Sequence, residues 1–286
     1  THQLIVTQRL TWQDLGFDGP QIMAILNITP DSFSDGGTFY KGEPRLDRVL
    51  KYAEGCLSAG SSILDVGGES SRPGASTISI SEELDRVIPV IEALRERFDA
   101  VISVDSSTPE VMRESAAAGA RLINDVRSLQ RLGAMEAALE TGLPVCLMHM
   151  QGTAKTMQDQ PSYKDVVIDV HAWLMRRVDA CLAAGFTAKQ LVLDPGFGFG
   201  KTLEHNVALF QDLAQLIQTG YPVLVGVSRK TMIGEITGRP IEQRIIGSAM
   251  AAAIAASHGA AILRVHDVAE TRDAMIVMQT LMQGMQ

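Results

Sequence analysis

The chain has 286 residues, of which 46% are hydrophobic and 20% are charged, and its formal net charge is −8. This composition is typical of one large globular domain spanning residues 1–286, and the acidic balance argues against a nucleic-acid partner. No apolar run approaches the roughly 18 residues of a membrane span and no signal-peptide pattern is visible, so we expect no membrane partner. Three dispersed cysteines are expected to be buried thiols of a reducing, cytoplasmic compartment: Cys56, Cys146 and Cys181.

The first 20 residues are predicted to form an N-terminal extension, because they fit neither a helix nor a barrel strand. Residues 4–7 and 10–12 are candidates for a hairpin that closes the floor of the fold.

Short apolar segments with the length and branching of buried strands recur after this extension. They cover residues 22–28, 63–66, 101–104, 121–123, 144–148, 191–193, 222–227 and 261–265. Helical patterns with a 3.6-residue period lie between them, for example over residues 46–57 and 203–217. Thr108 is predicted to cap a helix that begins with Pro109.

A glycine closes the predicted helix before six of these strands. The six are Gly60, Gly119, Gly142, Gly185, Gly220 and Gly259. Glycine adopts the left-handed conformation that ends a helix, so each is a predicted C-cap. Eight strand–helix units in a chain of this length predict an α/β fold, a single (β/α)8 TIM-type barrel. A doubly wound open sheet is the alternative, and the lack of a dinucleotide fingerprint disfavours it.

Polar residues lie at or directly after the ends of the predicted strands. They are Asn27, Asp65 with Glu69, Asp105, Asn124 with Asp125, His149, Asp194, Ser228 with Arg229 and Lys230, and Arg264 with His266. In a barrel these ends converge on the catalytic face, and the residues after strands seven and eight form the usual phosphate corner. The cations there, with Arg72 and Lys201, predict a small anionic substrate.

The chemistry of these residue types indicates a ring, a phosphate group and a metal. Asp105, Asn124 and Asp194 suit a flat heterocycle with several N–H donors, since each accepts paired hydrogen bonds. Asn27 and Asp31 offer oxygen ligands for Mg²⁺, which commonly binds together with substrate phosphates. Such a pocket fits the departure of a phosphate leaving group from a heterocycle.

Several familiar motifs are excluded by their spacing. The run over residues 195–202 has Pro195 where a phosphate-binding loop needs its first glycine. It predicts either a loop that brings Phe197 or Phe199 to a ligand ring, or a tight glycine turn. The histidines have no zinc spacing, and His149 is predicted to satisfy the barrel core rather than bind metal. No nucleophile-elbow motif supports serine-hydrolase chemistry.

The motifs together resemble those of the bacterial dihydropteroate synthases, pterin-binding barrel enzymes of the folate pathway. The likeness is carried by residues 26–37, 65–74, 103–105, 123–125, 194–201, 228–230 and 264–267, in the family's order. Ser71 departs from the pattern, because many members carry threonine there. The first 20 residues contribute nothing to the match.

The resemblance implies condensation of 6-hydroxymethyl-7,8-dihydropterin diphosphate with p-aminobenzoate by a dissociative mechanism, with Asp105, Lys230 and Asn27 as catalytic residues. The implied pterin site is Asp105, Asn124, Met148, Asp194, Gly226 and Lys230. The implied diphosphate site is Asn27, Ser71, Arg264 and His266, with Mg²⁺ as cofactor held by Asn27 and Asp31. The implied p-aminobenzoate site is Phe33, Ser71, Arg72, Pro73, Phe199 and Ser228.

Two other functions are weighed against this one. A pterin-dependent methyltransferase on the same barrel would keep the ring pocket but has no need of the phosphate corner. A non-catalytic pterin-binding barrel could lose Lys230 or Asn27, and both are present. The resemblance also implies a homodimer, which the apolar residues Ile254, Met275 and Met278 permit.

Overall fold

The computed structural model describes residues 9–29, 46–70, 77–153 and 156–284. Eight parallel strands form one sheet in the order β6-β5-β4-β3-β2-β1-β8-β7. The strands are β1 Gln21–Asn27, β2 Ile63–Gly67, β3 Val101–Asp105, β4 Leu122–Asp125, β5 Val145–Met148, β6 Leu191–Asp194, β7 Leu224–Val225 and β8 Ile262–Val265. The helices are α1 Leu46–Ala59, α2 Ile80–Arg97, α3 Pro109–Ala118, α4 Ala134–Thr141, α5 Val166–Ala184, α6 Leu203–Gln211, α7 Leu213–Ile217, α8 Thr231–Thr237, α9 Ile245–Ser257 and α10 Val268–Gln283.

The two ends of the sheet order meet, which closes the sheet into a barrel. Leu193 of β6 forms a parallel bridge with Val223, and its backbone N–H donates to the carbonyl of Pro222 over 2.9 Å. The predicted (β/α)8 barrel is confirmed, and the open doubly wound sheet is excluded.

The six predicted glycine caps all have positive φ, from 69° at Gly142 to 116° at Gly60 and Gly119. An L-residue with a side chain rarely adopts this conformation, so the glycines end the helices and let the next strand begin within a few residues. The repeated caps therefore set the spacing of the strands.

The predicted N-cap is confirmed, because Thr108 precedes α3 and Pro109 begins it, although the Thr108 hydroxyl donates to Glu83 over 2.6 Å and does not bond to the helix. Two local predictions were wrong in detail. The helical pattern over residues 203–217 is split into α6 and α7 at Asp212. The seventh strand is reduced to Leu224–Val225, since its neighbour β6 pairs with it only through the bridge at Val223.

Alternation along the strands divides the core into two parts. Side chains such as Leu26, Leu64 and Val104 point outward and pack between the sheet and the helices. Their neighbours Met23 and Ile63 point inward and fill the barrel with apolar residues near the amino ends of the strands. The interior at the carboxyl ends is left to polar side chains.

The N-terminal segment covers the floor of the barrel. Leu10, Trp12 and Phe17 pack against the inner apolar cluster, next to a short 3-10 helix at Gln13–Leu15. The backbone N–H of Leu10 donates to Gly142 over 2.9 Å, and that of Trp12 donates to Lys189 over 2.9 Å. Residues 10–12 are not a strand, so this half of the predicted hairpin is wrong, and residues 4–7 lie outside the described part.

The predicted buried thiols are confirmed, because Cys56, Cys146 and Cys181 are free and buried. Over the described ranges, no helix combines the length and the apolar character that crossing a bilayer requires.

Candidate active site

Inward-facing positions bring the polar residues together at the carboxyl end of the barrel. Ile63, Val101 and Leu122 point into the barrel, so the residues two positions later on the same strands also point inward. The strand register aligns Asp65 with Ser103, Asp105 with Asn124, and Met148 with Asp194. The strand-end residues identified in the sequence therefore surround one space.

Asp65 lies at the centre of this arrangement and is fully buried. Its Oδ2 accepts hydrogen bonds from Nδ2 of Asn124 over 3.0 Å and from Nε of Arg264 over 2.8 Å. The same guanidinium reaches across the barrel mouth, where Nη2 of Arg264 donates to Oδ2 of Asp105 over 3.1 Å. One connected network thus spans strands β2, β3, β4 and β8.

Asp105 and Arg264 form a partly buried ion pair, and the pKa of each is shifted by its surroundings. Burial raises the pKa of Asp105 above the ordinary carboxyl value, the nearby Asp65 carboxylate raises it further, and Arg264 opposes both. Burial lowers the pKa of Arg264, but the two carboxylates outweigh that and raise it. The arginine therefore stays charged and keeps Asp105 more acidic than burial alone would allow.

Asp194 and Lys230 form the opposite wall. Oδ1 of Asp194 accepts from the backbone N–H of Gly196 over 2.8 Å, and burial raises the pKa of this carboxyl, against the field of Lys230. Nζ of Lys230 donates to the carbonyl of Phe197 over 2.7 Å and lies 4.8 Å from the ring centre of Phe199. Burial lowers the pKa of Lys230 to about 8. Asp194, Lys230 and the Phe199 ring therefore line one side of the pocket.

The loop after β6 depends on glycine at this wall. Gly196 has a φ of +71°, and a Cβ there would lie 1.9 Å from the carbonyl oxygen of His149. Phe197 is fully buried and packs 5.5 Å from Phe210 between ring centres, whereas Phe199 is half-buried beside Lys230. Of the two predicted aromatic candidates, Phe199 is the one at the site.

Ser228 and His266 join the loops after β7 and β8. Oγ of Ser228 accepts from the backbone N–H of His266 over 3.1 Å and lies 2.9 Å from its ring Nδ1. Gly226 lies between Arg264 and Lys230, since a Cβ on it would come within 3.8 Å of both side chains. The predicted residues of both loops therefore lie side by side.

Two of the cations predicted to attract an anion are used elsewhere. Arg229 forms a two-pronged pair with Asp267, with its Nε 2.9 Å from Oδ2. Lys201 is only 3% exposed, and its ammonium donates to the carbonyls of Gly196 and Phe199 over 2.8 and 3.0 Å. Both residues hold the structure around the site and neither faces the pocket.

His149 was predicted to satisfy the barrel core, and the structure places it there. It is buried, its ring Nδ1 lies 2.9 Å from Nζ of Lys201, and its ring packs edge-on against Trp173. Burial, and then the charge of Lys201, lower the pKa of His149 to about 3, so the ring is neutral. The described residues contain no group of three or more His, Cys, Asp and Glu side chains arranged for a metal.

Part of the predicted site lies outside the described residues, namely Asp31, Phe33, Ser71, Arg72 and Pro73. Asn27 ends β1 and pairs in register with Gly67, which itself pairs with Asp105. A cleft of about 250 Å³ opens beside Asp105, lined by Glu69, Ser70, Ser106, Ser107, Val126 and Arg127.

Asp65 is the residue whose importance the sequence did not reveal. The sequence shows that Asp65 lies near the end of β2, and the alternation of side chains along that strand shows that it points into the barrel. Its bonds to Asn124 and Arg264 join positions 59 and 199 residues away in the chain, which only the closed barrel brings together.

Comparison with known proteins agrees with this geometry. A family model described as pterin binding enzyme matches residues 23–266. The dihydropteroate synthase of Haemophilus influenzae is 55% identical over 260 residues, covering 91% of this chain and 93% of the relative. That of Escherichia coli K12 is 53% identical over 265 residues, covering 93% of each chain.

Solved structures show the same likeness. The dihydropteroate synthase of Yersinia pestis with a sulfonamide drug complex aligns with a TM-score of 0.87 and 53% identity over 94% of this chain and 96% of that one. The enzyme of Xanthomonas albilineans in complex with 7,8-dihydropteroate aligns with a TM-score of 0.83 and 45% identity over 94% and 95%. The chain therefore belongs to the family of pterin-binding enzymes and, within it, to the dihydropteroate synthases.

Proposed function

We propose that this site condenses 6-hydroxymethyl-7,8-dihydropterin diphosphate with p-aminobenzoate, giving 7,8-dihydropteroate and diphosphate. The observation that carries the proposal is the convergence of Asp105, Asn124, Asp194, Lys230 and Arg264 on one barrel mouth. Carboxylates and an amide there are matched to a donor-rich ring, and fixed cations lie beside them for an anionic leaving group.

The pterin is assigned to the deeper part of this pocket. Asp194 presents a carboxylate with one oxygen already held by Gly196, which leaves the other for ring N–H groups. Asn124 supplies an amide, and the buried Met148, in register with Asp194, supplies an apolar surface for the ring. Gly226 leaves space between Lys230 and Arg264, where a side chain would intrude.

The diphosphate is assigned to Arg264, His266 and Asn27, with Ser71 added from outside the described part. Arg264 is a two-pronged donor, which suits phosphate oxygens, and the carboxylates of Asp65 and Asp105 keep it charged. Asn27 and Asp31 would hold Mg²⁺, because each provides one side-chain oxygen of the kind that this ion prefers. Mg²⁺ usually has few protein ligands and is bound in part by the phosphates of the substrate, which fits this small set. The bound metal supplies charge neutralisation of the leaving group.

The p-aminobenzoate site is assigned to Phe199 and Ser228, with Phe33, Ser71, Arg72 and Pro73 from the loops after β1 and β2. The ring centre of Phe199 lies 4.8 Å from Nζ of Lys230, so an aromatic amine beside this ring would lie next to the pocket assigned to the pterin. The half-buried ring of Phe199 gives this substrate an apolar contact.

The proposed order of bond changes is dissociative. The carbon–oxygen bond to diphosphate breaks first, with its electron pair leaving on the diphosphate, and the pterin becomes a cation. Asp105 stabilises that cation from a water-poor position. The amine of p-aminobenzoate then forms the new carbon–nitrogen bond and loses one proton, for which Lys230, with a pKa near 8, is a nearby acceptor when neutral.

Mixing the protein with the pterin diphosphate, p-aminobenzoate and Mg²⁺ tests the proposal directly. Release of diphosphate together with 7,8-dihydropteroate is expected. A methyltransferase would bind the pterin and release no diphosphate, and a non-catalytic barrel would bind it and leave both substrates unchanged.

A homodimer formed through α9 and α10 is also part of the proposal. Ile246, Met250 and Ile254 are spaced four residues apart on α9 and are 84%, 59% and 40% exposed. Met275 is buried and Met278 packs against the core, so of the three residues named from the sequence only Ile254 faces outward. An exposed apolar stripe of this length is typical of a protein interface.

A reducing, cytoplasmic location completes the proposal, supported by the three free thiols.

A further inference from the structure

Asp65 is a buried carboxylate whose two oxygens have different surroundings. Oδ2 accepts from both Asn124 and Arg264, while Oδ1 is buried without a hydrogen-bond partner among the described residues. Burying an acceptor without a partner destabilises the folded protein. A residue kept in this position at such a cost is expected to serve something other than stability.

The first consequence concerns the orientation of the Asn124 amide. A carboxylate only accepts, so it must face the NH₂ group of the amide and not its oxygen. The bond from Nδ2 of Asn124 to Asp65 therefore turns Oδ1 of Asn124 away from Asp65, and that oxygen accepts no hydrogen bond from the described residues. Asp65 thereby makes Asn124 an acceptor toward a bound ring.

The second consequence concerns the direction of Arg264. The bond from Nε to Asp65 fixes the plane of the guanidinium, and the adjacent Nη2 then reaches Asp105. Nη1 makes no hydrogen bond to the described residues, so it is left for a bound anion. Asp65 is itself fully buried and does not reach that mouth.

We propose that Asp65 is a positioning residue that couples the ring pocket to the leaving-group corner, by setting the Asn124 amide as an acceptor and aiming the Arg264 guanidinium. The inference rests on the proposed function and deepens it. In this proposal Asp65 contacts neither the pterin nor the diphosphate, and it acts on them through Asn124 and Arg264.

The test is Asp65→Ala, measured against two probes in separate titrations: 6-hydroxymethyl-7,8-dihydropterin without phosphates, and inorganic diphosphate with Mg²⁺. An asparagine could keep both bonds through its single oxygen, because Oδ2 alone accepts from Asn124 and Arg264, whereas alanine removes that acceptor. We expect the affinity for each probe to fall by about tenfold or more, the size of effect found when an outer residue that orients a ligand is removed. The KM for p-aminobenzoate should stay unchanged, because neither Asn124 nor Arg264 is assigned to that substrate.

Ser103→Ala is the matched control. Ser103 is paired in register with Asp65, is fully buried, and carries an Oγ without a partner among the described residues. Removing that hydroxyl should leave both probe affinities, kcat and the KM values for the two substrates at wild-type values. If Asp65→Ala fails to fold, Asp65→Ser gives the same test with room left for a water molecule.

The outcomes separate this inference from the proposed function. Wild-type protein that binds neither probe and releases no diphosphate contradicts the proposed function. An active wild-type protein, together with unchanged probe affinities in Asp65→Ala, overturns the role of Asp65 alone. A lowered melting temperature with normal affinities, or an equal rise in the KM for p-aminobenzoate, also overturns it, since either is the result of a structural role only. In the double variant Asp65→Ala with Arg264→Gln, the loss of diphosphate affinity should be smaller than the sum of the losses in the two single variants.

Discussion

At the scale of single residues, Asp194 tests the ring pocket. Asp194→Ala removes the carboxylate and leaves buried N–H donors of the pterin without partners. The loss of binding free energy is expected to be about 1–3 kcal/mol or more. Titration calorimetry with a phosphate-free pterin measures it, and an unchanged affinity would show that the ring binds elsewhere.

His149→Gln is the comparison for that experiment. His149 is bonded to Asp194 only through the backbone, with its N–H 3.0 Å from the carbonyl oxygen of Asp194. A glutamine keeps that backbone bond and offers an amide oxygen to Lys201. Pterin affinity should therefore remain close to that of the wild-type protein.

Arg264 allows a prediction of pH dependence. Asp105 must be ionised to stabilise a pterin cation, so activity is lost as the pH falls through its pKa. Arg264 lowers that pKa against burial and Asp65. In Arg264→Gln the pKa rises further, and the acid limb of the kcat–pH profile should move to higher pH. Arg229→Gln removes a cation paired with Asp267 and should leave the limb in place. A limb that stays fixed in Arg264→Gln would mean that another group controls it.

The sequence predicts the position of a polar residue at the barrel mouth well when that position depends on one strand. The positions of Asp105, Asn124, Asp194 and Arg264 follow from strand parity and from the rule that strand ends converge. The partners of the other cations were not predictable in this way. Lys201 and Arg229 look like anion-binding residues in the sequence, and only the folded chain shows their charges directed to the backbone carbonyls near His149 and to Asp267.

At the scale of elements, Lys201 holds the loop between β6 and α6. Its buried ammonium bonds to the carbonyls of Gly196 and Phe199 and to His149, so Lys201→Met leaves two backbone acceptors without their donor. We expect the loop that carries Phe199 to loosen, and the KM for p-aminobenzoate to rise more than that for the pterin substrate. Steady-state kinetics on both substrates provide the measurement.

Lys189→Met is the matched control for that loop, because Lys189 is an exposed lysine beside the short helix before β6. It should leave both KM values unchanged. Equal increases in the two KM values for Lys201→Met would indicate that Lys201 supports the whole site and not the p-aminobenzoate side.

Element boundaries show what periodicity does and does not reveal. The helical period over residues 203–217 continues across the break between α6 and α7, because Leu213 and Leu216 on the second helix keep facing the core. At Asp212 the backbone leaves helical geometry, and its carboxylate lies 3.2 Å from Nε2 of His171 on α5. Because His171 belongs to a different helix, the hydrophobic period of residues 203–217 does not predict this contact.

At the scale of the whole molecule, the closed barrel could be predicted from the repeated helix–glycine–strand units, but the contact that closes it could not. Closure depends on the bridge between Leu193 and Val223, where the seventh strand is short. The position of the N-terminal segment at the floor was predicted and its conformation was not, since Leu10, Trp12 and Phe17 contact the inner cluster from a segment without strand structure.

The exposed face of α9 carries the last prediction, on oligomeric state. Met250 lies at the middle of the stripe formed with Ile246 and Ile254, and it is 59% exposed. Met250→Asp places a charge at the centre of the proposed interface, where it would be buried without a partner, and should convert a dimer into a monomer that remains folded. Leu132→Asp is the control, because Leu132 is 96% exposed and lies away from α9 in the segment before α4. Sedimentation equilibrium gives the mass of each variant: a dimeric Met250→Asp variant, or a wild-type protein that is already a monomer, would rule out this interface.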